Sequence, residues 1–391
     1  MRLTRLKVDG FRCLKDLDLE MRPLMVLIGP NGSGKTSLLD VFALLKGAVS
    51  DTLGNALIER GGLASVLTYN APLDALNLSL NGVSTSGASQ VAYLLELGFK
   101  PLIPSAGSDY EVLREALGMR SENSPEWRTL LFREKGAIRH YDSPTGGSKP
   151  PDRPVDSREL ALSQLFHLFF EAWDLWQSLR NVVYISHLDM GRRAPVRLAQ
   201  EIRPSRVPGA NGEDLVATLQ YLRSTRDPSY ERILETLRAG FPCFRDLDFV
   251  PVAAGQVALA WFENPFARPF YASQLSEGTL RFLWLTTILL SPQPPALIMI
   301  DEPEISLHPE LLKILPGLLQ DAAVRTQLIV ATQSPELIRW LEPSEIVVMD
   351  KGEDGFARAR WADAMDIDFG AWLKEYTLGE MWTMGELGGR P

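Results

Sequence analysis

The sequence runs to 391 residues, enough for one large domain or two ordinary ones with a well-buried core. Apolar residues make up 45% and charged residues 23%, an ordinary balance for a globular protein, and no apolar run reaches the roughly 20 residues of a membrane-spanning helix, so no membrane partner is expected. The net charge of -9 excludes a chain that captures nucleic acid through its overall charge, and the two cysteines, Cys13 and Cys243, stand in no metal-ligand spacing.

The opening segment MRLTRLKVDGF alternates and carries charges, unlike a signal peptide, so a cytoplasmic location is expected. Residues 1 to 28 read as strands: Leu3, Leu6 and Val8, then Leu14, Leu17 and Leu19, then the continuous run Leu24 to Ile28. A continuous apolar run suits a central strand buried on both faces. It leads into Gly29-Pro30-Asn31-Gly32-Ser33-Gly34-Lys35-Thr36, the full G-x-x-x-x-G-K-[ST] pattern, and Thr36 to Lys46 has helical patterning. These residue types suit phosphate chemistry. Glycines let successive backbone N–H groups turn towards an anion, and the helix N-terminus behind them adds favourable potential. Lys35 can reach the β- and γ-phosphates of a nucleotide and the Thr36 hydroxyl can ligate Mg²⁺, with Asn31, Gly32, Ser33, Gly34 and Ser37 completing the cradle.

Leu76 to Leu80 and Val91 to Phe99 predict strands, with turns at Asn81-Gly82 and Gly87. Residues 142 to 154 are rich in Pro, Gly and Ser and read as an exposed loop. Residues 158 to 180 read as helical. Asn181 to Ser186 is another buried strand. Residues 187 to 211 read as irregular, and their arginines (Arg192, Arg193, Arg197, Arg203, Arg206) are either phosphate contacts or a solvated loop. Residues 212 to 240 suggest two helices and residues 246 to 262 two strands. From 277 onward helix and strand alternate, which predicts a parallel sheet with crossover helices. There is no internal repeat and no long heptad region that would make a coiled-coil arm.

Three segments of this last region carry chemistry. In Leu275-Ser276-Glu277-Gly278-Thr279-Leu280-Arg281, Ser276 can cap a helix and offer its hydroxyl to an anion, and Gly278 permits close approach of a phosphate. Ala296 to Glu302 is an apolar strand ending in two acids. Asp301 there can orient Mg²⁺, and Glu302 can position or deprotonate an attacking water. Leu328 to Pro335 is a strand that delivers Gln333, whose amide can hydrogen-bond a γ-phosphate or water but cannot carry a proton at neutral pH.

Taken together these motifs resemble the ABC-type P-loop ATPases, in the RecF-like and structural-maintenance-of-chromosomes (SMC) branch that also includes bacterial defence and overcoming-lysogenization-defect (OLD) ATPases. Leu275 to Arg281 resembles the Leu-Ser-Gly-Gly-Gln signature, Asp301 to Pro309 resembles the DEPE and Leu-His-Pro form, and Gln333 stands where the family often has His. Gly212 to Leu215 and the stretch from Gly379 to Gly389 also look like these ATPases, and the resemblance makes Gln164 the glutamine that senses Mg²⁺ or nucleotide, unless it is an ordinary surface residue. The resemblance implies an α/β fold: a mixed, mostly parallel sheet flanked by helices, with an antiparallel β subregion and a helical lobe. It implies one head over residues 1–391, with sub-lobes 1–155, 156–245 and 246–391. It further implies ATP and Mg²⁺, and a homodimer in which the Ser276 element closes on ATP held by the other copy. Ser306 to His308 is then a loop crossing to the partner's site, unless His308 merely starts a helix. About 40 residues follow Ile346 to Asp350, too few for the nuclease domain of OLD proteins. Three readings stay open: an ATP-gated clamp on DNA, a scaffold for a separately encoded effector, and a nucleotide-binding protein with little turnover.

Overall fold

The computed structural model describes residues 1–68, 75–87, 89–100, 109–122, 124, 126–142, 145–186 and 188–388, so Gly389 of the C-terminal motif lies outside the described residues. The chain divides into two compact units. Unit 1 is Met1–Val182, Val347–Met365 and Gly388–Pro391, and unit 2 is Val183–Ile346 and Asp366–Leu387.

Unit 1 begins with strands β1 (Arg2–Asp9), β2 (Leu17–Glu20) and β3 (Leu24–Ile28). All five residues of β3 are buried, as its unbroken apolar run predicts. The next strands are β4 (Ala75–Val83), β5 (Ser89–Lys100), β6 (Asp109–Ser121), β7 (Arg128–Glu134), β8 (Ala137–Asp142) and β9 (Gly147–Lys149). With β1 and β2 they form an eight-stranded sheet in the order β2-β1-β4-β5-β6-β7-β8-β9, antiparallel throughout. Leu76, Leu78 and Leu80 alternate into its buried face. The helices of this unit are α1 (Lys35–Ser50), α2 (Leu53–Ile58), α3 (Leu63–Val66), α4 (Ala161–Leu165) and α5 (Phe170–Arg180), and α1 packs against α2 and α5.

Two local expectations fail here. Asn81-Gly82 is not a turn but the end of β4, where a side chain on Gly82 would stand 2.8 Å from the Arg2 carbonyl. The glycine therefore serves close approach of β1, and the hairpin turns later, through Gly87, whose N–H donates to the Ser84 carbonyl at 2.9 Å. The stretch 142–154 is not all loop, because β9 within it pairs with β8.

Unit 2 carries β10 (Val183–Ile185), β11 (Gln200–Glu201), β12 (Phe244–Ala253), β13 (Gln256–Glu263), β14 (Phe270–Tyr271), β15 (Leu297–Asp301) and β16 (Gln327–Ala331). Strands β10, β15 and β16 are neighbours and parallel. Strands β11, β13 and β12 form a separate antiparallel group, joined by β14 on β13. Its helices are α6 (Leu215–Ser224), α7 (Pro228–Gly240), α8 (Glu277–Leu289), α9 (Pro309–Leu312), α10 (Leu315–Ala323), α11 (Pro335–Ile338), α12 (Phe369–Trp372) and α13 (Leu378–Met384). Helix α8 is buried along Leu280 to Leu289, which suits a helix in the middle of its unit. The last strands, β17 (Ile346–Lys351) and β18 (Ala357–Trp361), pair antiparallel and bring the chain back to unit 1, where β17 lies beside β3. The architecture is α/β with mixed sheets flanked by helices, as expected. Among the described residues no helix is long and apolar enough to cross a membrane.

Candidate functional site

Unit 1 holds the glycine-rich loop between β3 and α1. Gly29, Gly32 and Gly34 all have positive φ, at 151°, 77° and 102°. A side chain on Gly29 would stand 2.0 Å from the Met349 carbonyl of β17, so only glycine lets the loop leave the sheet here. A side chain on Gly34 would stand 2.9 Å from the Ala357 Cβ and 3.0 Å from the Cys13 Sγ. Cys13 thus lies directly under the loop, and its Sγ is 3.7 Å from the Ser37 Oγ, a proximity that no sequence signal announced.

Helix α1 starts behind Gly34 with no side chain capping it, so its N-terminal field is directed at whatever the loop encloses. The Ser33 side chain is buried, and its Oγ has no hydrogen-bond partner among the described residues. Lys35 is only 7% exposed, and its ammonium donates to the Gly29 carbonyl at 2.6 Å and the Pro30 carbonyl at 3.0 Å. Asn31, Gly32 and Thr36 are exposed along the outer rim and Ser37 is half-buried. An uncapped helix end, an orphaned hydroxyl and a cation held over its own loop fit a polyanion such as a triphosphate.

Unit 2 holds the acidic elements. Asp301 ends β15 opposite Ala331 of β16 and accepts from the Tyr184 hydroxyl at 3.4 Å. Glu302 follows with φ at 51°, a left-handed conformation that is costly for any residue with a Cβ. Its N–H donates to the Ala331 carbonyl at 2.8 Å. Its carboxylate Oε1 accepts from the Gln333 Nε2 at 2.8 Å, and its backbone carbonyl accepts from the Arg281 guanidinium at 3.0 Å. Glu304 lies beneath them. Its Oε1 accepts from the Thr332 hydroxyl at 2.7 Å and the Gln333 N–H at 2.9 Å, and burial raises its pKa above the usual carboxylate range. Sequence reasoning named Glu302 and Gln333 separately. The structure joins them, and it adds contacts of Arg281, Glu304, Thr332 and Tyr184 that the motifs do not specify.

The Ser276 turn lies in the same unit. Ser276 caps α8: its Oγ accepts from the Thr279 N–H at 3.1 Å and shares a hydrogen bond with the Thr279 hydroxyl at 2.7 Å. Arg197 secures the approach to this turn, donating to the Leu275 carbonyl at 2.9 Å and the Met190 carbonyl at 3.0 Å. A side chain on Gly278 would stand 2.4 Å from the Ser306 carbonyl. Ser306 itself has φ at 62°, and its hydroxyl donates to the Glu277 carboxylate at 2.6 Å. Gly278 therefore admits the 302–308 loop against the start of α8, a packing role beyond the close phosphate approach that its position suggests. Gly278→Ala is expected to destabilise the fold by about 1–3 kcal/mol, because a backbone carbonyl cannot swing aside as a side chain can. Urea unfolding of the variant checks this, and an unchanged midpoint would contradict the packing argument.

Other residues singled out in the sequence have local tasks. Gln164 is a clamp on its own loop: its Oε1 accepts from the Asp156 N–H at 2.8 Å and its Nε2 donates to the Asp156 carbonyl at 3.0 Å. Both ends of the amide are thus bonded to backbone, the local role that its surface-residue reading allows. His308 caps α9, its Nδ1 accepting from the Glu310 N–H at 3.3 Å, which is the helix-start alternative. Of the five arginines between 192 and 206, Arg197 serves the backbone and Arg203 pairs with Asp214 at 2.5 Å, so the segment is less free to meet phosphates than its composition suggests.

Comparison with known proteins follows the same lines. The family described as "AAA domain, putative AbiEii toxin, Type IV TA system" matches residues 24–339. An OLD nuclease of Thermus scotoductus is 49% identical over 51 residues, which span 13% of this chain and 10% of that protein. Among solved structures, an SMC head bound to the C-terminal winged-helix domain of ScpA superposes with a TM-score of 0.55. That match covers 92% of this chain and 98% of the other at 11% identity, which shows a shared fold.

Proposed function

Because the chain belongs to the AAA-domain family described as putative AbiEii toxin, Type IV TA system, we propose that it is an ATP- and Mg²⁺-dependent ATPase that closes as a homodimer around shared nucleotide. The observation that carries this reading is the loop Gly29 to Thr36, folded onto an uncapped 16-residue helix with Lys35 held over it. Asn31 to Ser37 would cradle the phosphates, and Lys35 would exchange its loop carbonyls for β- and γ-phosphate oxygens. Thr36 and Asp301 would hold Mg²⁺, which neutralises charge developing on the phosphates. Glu302 would orient and deprotonate the attacking water, and Gln333 would hold the Glu302 carboxylate while leaving that proton to it. Ser276 and Gly278 of one copy would close on the triphosphate bound by the other.

A complementation experiment tests the shared site. Lys35→Ala and Ser276→Arg chains are each expected to be inactive alone. Mixed together, they can form heterodimers with one intact composite site, so ATP turnover should reappear. Silence of the mixture, with both chains folded, would rule out a site shared between copies.

The biological output is proposed as control of a separately encoded effector protein. The internal use of Arg197 and Arg203 supports that reading over a clamp on DNA, since it removes two cations from the segment best suited to phosphates. Duplex-DNA binding that requires ATP and weakens steeply with salt would favour the clamp instead.

A further inference from the structure

We propose that Arg281 is a positioning residue that ties the Ser276 end of α8 to the backbone of Glu302, so that capture of nucleotide at one is felt at the other. The proposal rests on the ATPase reading above for its consequence in turnover, but its geometry stands apart from it.

Arg281 is 1% exposed on a helix whose following residues, Phe282, Leu283 and Trp284, are wholly buried and apolar. A guanidinium is costly to bury and is normally met there by a carboxylate in a paired geometry. Among the described residues Arg281 has no such ion pair. The carboxylates of Glu277, Glu304 and Glu302 lie close enough to act on its charge, yet its one directional bond goes to the backbone carbonyl of Glu302 at 3.0 Å. Its Nε has no hydrogen-bond partner among the described residues.

The recipient of that bond explains the choice. Glu302 sits at φ 51°, and such a conformation persists only where neighbours over-determine it. Ala331 holds its N–H, Gln333 its carboxylate, and Arg281 shares its carbonyl with the Ile305 N–H at 3.3 Å. Of these braces only Arg281 comes from α8, the helix that Ser276 caps. A helix moves as a rigid rod on this scale. Rotation of α8 when Ser276 meets an anion would therefore displace the Glu302 carbonyl and, through it, the carboxylate. Arg281 thus lies on the helix whose first turn Ser276 caps and is bonded to the backbone of the acid.

Two readouts test this on the full-length protein. In Arg281→Met, which fills the same space without the donor, amide hydrogen exchange at Glu302 to Ile305 should rise about tenfold, with β15 and β16 unchanged. The kcat for ATP should fall on the order of 10²-fold with little change in KM, since an acid misplaced by about 1 Å loses that much. Arg281→Lys, which keeps a donor, should recover part of the kcat. Arg281→Gln, shorter and neutral, provides the same exchange reading if the Met variant does not fold. Wild-type exchange at Glu302 to Ile305 in whichever of these two variants folds overturns the proposal. A fall in exchange protection spread over the whole of unit 2 also overturns it, because that is what a purely structural arginine predicts. Absence of turnover in the wild-type protein would instead count against the ATPase reading, and the exchange result would still decide this one.

Discussion

Glu302→Gln is expected to lower ATP turnover by about 10²–10⁴-fold while leaving nucleotide binding intact, the range that a general base contributes. The substitution removes the negative charge that would take the proton of the attacking water. It leaves an oxygen that can still accept from Gln333, whose Nε2 lies 2.8 Å from the native Oε1. The braces on the backbone, from Ala331 and Arg281, are untouched. Geometry is thus preserved and only the chemistry lost, so the ATP-bound homodimer should accumulate. Size-exclusion chromatography with ATP and Mg²⁺ should show a dimer that the wild-type protein forms only transiently. Wild-type turnover in this variant would remove Glu302 from the catalytic role, and a persistent monomer would count against the proposed closure.

The second large effect is on binding. Lys35→Ala should weaken affinity for a fluorescent ATP analogue by about 10²-fold or more, since charge-assisted hydrogen bonds are worth about 1.5–3 kcal/mol each and Lys35 can make more than one to the phosphates. The ammonium is already oriented inside the loop by the Gly29 and Pro30 carbonyls, so little ordering remains to be done when a phosphate replaces them. The variant should stay folded, because β3 and the apolar face of α1, with Leu38, Leu39 and Phe42 fully buried, do not depend on the lysine. Unchanged binding would contradict the assignment of the loop. A lowered melting temperature with weak binding would require Lys35→Arg as a second test.

The two predictions differ in how far they could be made from sequence. The conformation of the loop that carries Lys35 is local: a buried strand, glycines at positive φ and a helix start occupy consecutive residues, so the motif and its conformation are one statement. The surroundings of Glu302 are not. Its partners Gln333 and Arg281 lie 31 and 21 residues away, and the distances were set by the parallel register of β15 and β16 and by the seating of α8. Local reading also misled where a dipeptide has two uses. Asn81-Gly82 has the composition of a hairpin turn, but here the missing side chain admits a neighbouring strand.

The sequence by itself determined the glycine-rich loop between β3 and α1, the capped turn at Ser276 and the acids at the end of β15, because each depends on the chemistry of adjacent residues and on the hydrophobic pattern flanking them. Tertiary structure alone decided that Gln333 holds Glu302, that Gly278 makes room for Ser306, that Gln164 is spent on its own loop and that Arg281 reaches the Glu302 backbone from α8. Those outcomes depend on which backbones approach one another across a sheet or a helix face. Sequence spacing does not encode that approach; the packing inside each compact unit does.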